Sequence, residues 1–175
     1  MRVEYNDICI RNAETKDCGQ LAKWWNDGSV MAHAGFPLGL GTTAEEIEKS
    51  ISTDSDDIRR RLIIDYRDIP IGETSYRNKG DHIAEIGIKI CETDYQEIGL
   101  GRICLSLLIK ELFRMGYQKI VLDTNEKNLR AQHVYELLGF RKLRINKDSW
   151  KDQLGNPQSS VDYELLPGDF NDYTK

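Results

Sequence analysis

The sequence predicts one α/β domain over residues 1–175, with a mixed, mostly antiparallel sheet of about seven strands flanked by helices. Three observations predict it. Short alternating apolar runs joined by tight turns come first, as antiparallel strands require. Strand–helix–strand units follow from about Ile83, where parallel pairing needs a crossover. No repeat or linker breaks the order, and 175 residues can bury one core without staples.

The elements follow in order. Ile8-Cys9-Ile10-Arg11 alternates as a short strand. Asp17 to Trp25 reads as a helix with Leu21, Trp24 and Trp25 on one side. Asn26 to Gly41 carries Gly28, Gly35, Pro37, Gly39 and Gly41 and reads as a loop. Its Met31, Phe36, Leu38 and Leu40 make it unusually apolar for one. Thr43 starts a helix, with Glu46 at capping-box spacing. Arg61 to Tyr66 and Ile71 to Arg77 read as a hairpin with its turn at Pro70. Ile83 to Ile90 is a strand with Ile86, Ile88 and Ile90 alternating. The next helix runs to about Met115, its Leu100, Ile103, Cys104, Leu107, Leu108 and Leu112 keeping a helical period, and Gly116 ends it. Lys119 to Asp123 is a strand, Asn128 to Leu138 a helix ended by Gly139, and Phe140 to Ile145 and Ser160 to Leu166 are the last strands.

Composition excludes several classes. Hydrophobic residues are 39% and charged residues 30%, values of an ordinary globule. No apolar run approaches the ~20 residues of a membrane span. Met1 to Asp7 does not read as a signal peptide, so the cytoplasm is the expected location. Cys9, Cys18, Cys91 and Cys104 contain no C-x-x-C pair and read as reduced, buried thiols. His33, His82 and His133 are scattered, so no catalytic metal is expected. Asp54, Asp56 and Asp57 lack the remaining ligands of a calcium loop and read as a solvated acidic turn. A net charge of −5 disfavours nucleic acid and leaves a cationic substrate open.

The most informative run is Tyr95-Gln96-Glu97-Ile98-Gly99-Leu100-Gly101-Arg102, ahead of the long helix. Two close glycines let consecutive backbone amides converge on one anion, and the helix start adds unpaired amides and a positive dipole end. A diphosphate is the natural guest. A Walker loop is excluded because Arg102 and Ile103 follow the last glycine instead of Lys and Ser/Thr. A dinucleotide fingerprint would use Gly99, Gly101, Cys104 and Asp123, but it puts its glycines directly after the strand. Here Cys91 to Ile98 intervene, and the antiparallel start does not suit a doubly wound sheet.

Gln96-x-x-Gly99-x-Gly101 resembles the acetyl-CoA pyrophosphate loop of the GNAT N-acetyltransferase superfamily. The run Asn128-Leu129-Arg130-Ala131-Gln132-His133-Val134-Tyr135-Glu136-Leu137-Leu138-Gly139-Phe140 resembles that family's N-x-x-A-x-x-x-Y-x-x-x-G-F element. The likeness is sharp from about Glu85 to Phe140 and follows the element order elsewhere. Ala84 to Gly87 and the tail from Asp148 to Tyr163 resemble the branch acting on ribosomal-protein N-termini, polyamines and aminoglycosides.

The resemblance implies a sheet splayed at its centre and an acetyl transfer from acetyl-CoA, the cosubstrate, to a primary amine. It implies cofactor contacts at Ile88, Lys89 and Ile90, along Gln96, Glu97, Ile98, Gly99, Leu100, Gly101 and Arg102, and at Asn128, Ala131 and Tyr135. Arg102 reads equally as a phosphate partner or a solvated residue, and Asn128 also suits a helix N-cap. Tyr135 would protonate the departing thiolate, although its helix face also suits a core tyrosine. Glu85 is the first choice of base, with Glu92 and Asp123 as rivals and a surface role as the plain alternative. A backbone N–H of the Ile88–Ile90 stretch would hold the oxyanion. His133 faces away from the Tyr135 stripe. A cysteine nucleophile is disfavoured at Cys91 and Cys104. Trp24 to Leu40 and Trp150 to Tyr163 are expected to recognise a small-molecule or peptide amine, and a homodimer is left open. Two other classes remain: a CoA-binding module without turnover, and a nucleotide-dependent oxidoreductase.

Overall fold

Eight strands form a single sheet in the computed structural model, which describes residues 1–175. They are β1 (Arg2–Tyr5), β2 (Ile8–Asn12), β3 (Arg59–Tyr66), β4 (Ile69–Asn78), β5 (Ile83–Ile90), β6 (Lys119–Asn125), β7 (Arg141–Lys151) and β8 (Pro157–Leu165). The order is β1-β2-β3-β4-β5-β6-β8-β7, and only β5 and β6 run parallel. Five helices, α1 (Cys18–Trp25), α2 (Gly28–Met31), α3 (Ala44–Ile51), α4 (Leu100–Arg114) and α5 (Leu129–Leu137), flank it. The mixed, mostly antiparallel sheet is the one expected, with one strand more than the seven. No helix is long and apolar enough to cross a membrane.

The missed strand is β1, which pairs with β2 through a turn at Asn6 and Asp7. The hairpin between β3 and β4 turns at Arg67 and Asp68, both at positive φ, and not at Pro70. Pro70 lies inside β4, beside a bulge opposite Ile64 and Asp65. The segment Asn26–Gly41 is not all loop: α2 and a 3-10 turn, Ala32–Ala34, occupy its first half. β7 continues to Lys151, six residues beyond the expected end. Thr43 and Glu46 make the expected capping box on α3.

Alternation in the strands sorts two cores. Leu62, Ile64, Ala84, Ile86, Ile120 and Leu122 face α4, whose Cys104, Leu105, Leu108 and Leu112 are buried against them. Ile63 faces the other way, into Cys18, Leu21, Trp24 and Ile47 of α1 and α3. The smaller pocket of the site, under Trp25 and Met31, lies on that second face.

Asp54 is not solvated, contrary to the acidic-turn expectation. Its side chain is 5% exposed and accepts from the Arg61 backbone N–H at 3.0 Å and from its guanidinium at 2.7 Å. Burial alone would raise the carboxyl, but Arg61 and Arg59 outweigh it and hold it below the ordinary range. Its stabilising contribution is therefore present above the ordinary carboxylate pKa and lost as acid titrates the folded group. Asp54→Ala strands the Arg61 charge and should cost about 3–5 kcal/mol in denaturant melts at neutral pH, and much less in strong acid.

Candidate active site

The parallel pair is short. β5 and β6 meet only at Ile83–Lys119, Ala84–Ile120 and Glu85–Val121. Beyond Glu85 the strands part, which is the central splay the resemblance implied. A cleft of about 1020 Å³ fills the gap, walled by β5, the glycine loop, β6 and α5. The His82 carbonyl accepts from Gln118 and Lys119 on the β6 side, whereas Ile83 and Cys91 bond toward β4, so the period of two turns the Ile88 N–H and C=O into the open gap. The Ile90 carbonyl faces the same way and accepts from Gln96 Nε2 at 2.8 Å. Gln96 thus ties the loop to the strand, and its amide oxygen takes Arg130 at 3.2 Å.

The loop is built to receive an anion. Glu97 and Gly99 adopt left-handed φ of 61° and 86° around Ile98. Alternating handedness curls successive amides toward one point. None of the six N–H groups from Glu97 to Arg102 has an acceptor within the chain. A Cβ on Gly101 would meet nothing within 4 Å, so that face opens onto the cleft. These residues fit a diphosphate. Leu100 departs from the expectation in part: its side chain is buried in the core, leaving only its N–H for the loop. Arg102 stacks on Tyr173 at 4.9 Å from the ring centroid. Arg130, exposed and paired with Glu97 at 3.3 Å, is a second cation at the loop that the sequence reading did not single out. It lies between Asn128 and Ala131, inside the run that resembles the family's second element.

Asn128 caps α5, its side-chain oxygen accepting from the Ala131 N–H at 3.2 Å. The cap orients the helix so that Ala131 and Tyr135 face the cleft. The Tyr135 ring is 6% exposed and packs edge-on against Phe140 and Tyr163 at 5.8 and 5.7 Å. Its hydroxyl has no hydrogen-bond partner in the chain. Burial, then the charge of Asp123, pushes that hydroxyl up to about 12. It therefore stays protonated at neutral pH. His133 is exposed, as expected.

The carboxylates divide sharply. Glu85 lies at the closed end of the wedge, outside the cleft lining, with Lys79 Nζ at 3.0 Å and Arg77 at 3.9 Å. Glu92 accepts the Trp24 indole N–H at 2.7 Å. Asp123 lines the cleft without an ion pair or side-chain hydrogen bond. Cys91 and Cys104 are buried, burial pushing the first thiol far up and the second up to about 12, so neither is a ready nucleophile.

On the α1 side, a pocket of about 280 Å³ adjoins the cleft and shares Gly87, Ile88 and Lys89 with it. Trp25, Met31, Phe36 and Leu40 wall it, so the apolar segment does face the site. Trp24 does not: it is 2% exposed and belongs to the core. Glu73 lines the pocket, accepting from Trp25 Nε1 at 2.8 Å and Lys89 Nζ at 3.3 Å. The β7–β8 end grips the segment, because Trp150 packs on Gly35 and Gln153 bonds to Leu38 and Gly39. The two stretches expected to recognise the acceptor therefore meet above one pocket.

The acetyltransferase (GNAT) domain family model matches residues 7–141. The chain belongs to the GNAT family. Among curated relatives it is similar to the [ribosomal protein bS18]-alanine N-acetyltransferase of Escherichia coli K12, 39% identical over 57 residues, 33% of this chain. The match spans 38% of that relative's length. The GNAT fold extends over nearly all of the chain in solved structures. Spermidine N-acetyltransferase from Vibrio cholerae, in complex with CoA and spermine, superposes with a TM-score of 0.83 at 21% identity, covering 94% of this chain and 98% of that one. A ribosomal L7/L12 α-N-protein acetyltransferase in complex with coenzyme A does so with a TM-score of 0.83 at 16% identity, covering 95% and 98%.

Proposed function

We propose that this GNAT chain is an N-acetyltransferase moving the acetyl group of acetyl-CoA to a primary amine of a small molecule or peptide. The observation that carries the reading is the run of six unpartnered amides, Glu97–Arg102, at one end of the wedge and the protonated Tyr135 farther along it. The amides would hold the diphosphate and the free edge of β5 the pantetheine arm, as an added strand pairs with an open sheet edge. Acetyl-CoA supplies the thioester carbonyl. The Ile88 N–H stabilises negative charge on that oxygen. Tyr135 gives its proton to the departing sulfur. The pocket under Trp25 and Phe36 seats the acceptor. Its relatives' names support amine acceptors of two kinds, a protein N-terminus and a polyamine.

The test is thiol release from acetyl-CoA across polyamines, aminoglycosides, amino acids and N-terminal peptides. Release with at least one acceptor is expected. CoA should also raise the melting temperature: a ligand at ~100 times its Kd adds ~2.7 kcal/mol, about 5–10 °C for a chain of this size. NAD and ATP should not. A CoA-dependent rise with no thiol release on any amine would leave a binding module instead, and a larger rise with NAD would restore the oxidoreductase reading.

A further inference from the structure

We propose that Asp123 takes the proton from the acceptor amine in the reaction proposed above. Two observations carry this. Asp123 stands two residues past Val121, the last β6 residue paired with β5, so it lies where the wedge opens. It is also the unpartnered carboxylate of the site. Glu97 is paired with Arg130, Glu73 with Lys89 and the Trp25 indole, Glu85 with Lys79, and Glu92 with the Trp24 indole. A carboxylate already neutralised by a cation is a poor proton acceptor and a poor anchor for an ammonium ion.

Facing is set by the strand period. Ile120 and Leu122 point into the α4 core, so Asp123 points to the opposite sheet face, where it lines the cleft beside the acceptor pocket without entering that pocket's wall. The groups around it are Glu85 on β5, Asp162 on β8, Tyr135 on α5, Lys79 at the β4–β5 turn and His33 in the 3-10 turn before Gly35. Asp162 is itself held by Arg144 at 2.7 Å. Asp123 is exposed along the open cleft, but partial desolvation by the cleft walls first, then the charges of Glu85 and Asp162, raise its carboxyl, while Lys79 opposes them. A raised carboxyl is a stronger base than an ordinary aspartate, closer to what proton transfer near neutral pH requires.

The steps balance. The amine arrives as an ammonium ion held by the carboxylate. Asp123 takes one N–H proton, and the freed lone pair forms the C–N bond at the thioester carbonyl. As the C–S bond breaks, Tyr135 gives its proton to sulfur, and the nitrogen's second proton passes to the tyrosinate. Asp123 then releases its proton to water. The sum is one amide, one thiol and one proton.

The experiment uses the acceptor with the fastest thiol release on the panel. Asp123→Asn keeps size and removes the base; circular dichroism and calorimetric CoA affinity should be unchanged. At neutral pH kcat/KM should fall about 10²–10⁴-fold. The residual rate should climb with hydroxide concentration as solvent deprotonates the amine. Glu85→Gln should keep the plateau rate and move the acid limb to lower pH, because it removes a negative charge that raises Asp123. Carbon-13 NMR of labelled aspartates gives a readout free of turnover. One carboxyl should titrate above the ordinary range, be missing in Asp123→Asn and move down in Glu85→Gln. Turnover with a wild-type pH profile in Asp123→Asn, or a rate loss confined to Glu85→Gln, would overturn this assignment alone. A wild-type protein that acetylates no amine counts against the transferase reading and this proposal together.

Discussion

Tyr135→Phe should lower kcat by about 10²–10⁴-fold, the usual worth of a positioned general acid, with CoA affinity nearly unchanged. The substitution is unusually clean here. The ring stays, and with it the edge-on contacts to Phe140 and Tyr163. The hydroxyl has no partner in the chain, so its removal orphans no buried group, and the melting temperature should hold. What is lost is the protonated oxygen facing the cleft. Its raised pKa keeps it in the acid form throughout the physiological range, so the wild-type rate should show no alkaline limb from Tyr135 below about 10, its unperturbed value. Steady-state thiol release and CoA calorimetry on the same sample make the comparison. Full turnover in the phenylalanine variant would move the acid to water and leave Tyr135 as a core tyrosine.

Much of the site was legible because its signals are local. The capping box of Thr43 and Glu46, the Asn128 cap and the span of α4 each depend on residues within one or a few helical turns. The glycine loop was legible for the same reason, since its amides act through backbone geometry that Gly99 dictates. What stayed hidden depends on pairs brought together across a turn or between strands, which neither the helix period nor the strand period registers. Asp54 reads as a solvated acid until β3 folds back and delivers Arg61. Glu85 reads as a free base until Lys79 and Arg77 arrive from the β4–β5 hairpin. Asp123 has the converse history, because its lack of a cation appears only when the neighbouring strands are placed. The missed elements share another cause. β1 alternates Val3 and Tyr5 over only four residues, too short a run to stand out, and β7 beyond Ile145 is almost wholly polar and exposed, so its last six residues show no apolar alternation. α2 spans four residues, fewer than a helical period needs to register.

Gly101→Ala should leave the free protein as stable as before or raise it by up to ~1 kcal/mol, while CoA affinity falls at least ~10-fold. The opposite signs are the strength of the test. Gly101 lies in the first turn of α4 with ordinary helical φ, and an added Cβ meets no atom within 4 Å. Alanine therefore costs nothing in packing and favours the helix. The same methyl enters the open face of the loop, where the diphosphate would approach the six free amides. Losing one hydrogen bond to a charged oxygen costs about 1.5–3 kcal/mol, and each 1.4 kcal/mol is about tenfold in Kd. Gly99 cannot give so clean an answer. Its φ of 86° makes any L side chain strained there, by about 1–2 kcal/mol, so a lost affinity at Gly99 mixes a damaged loop with a blocked site. Thermal melts of the free protein beside CoA calorimetry separate the two at Gly101. Undiminished CoA binding by Gly101→Ala would remove the diphosphate from this loop.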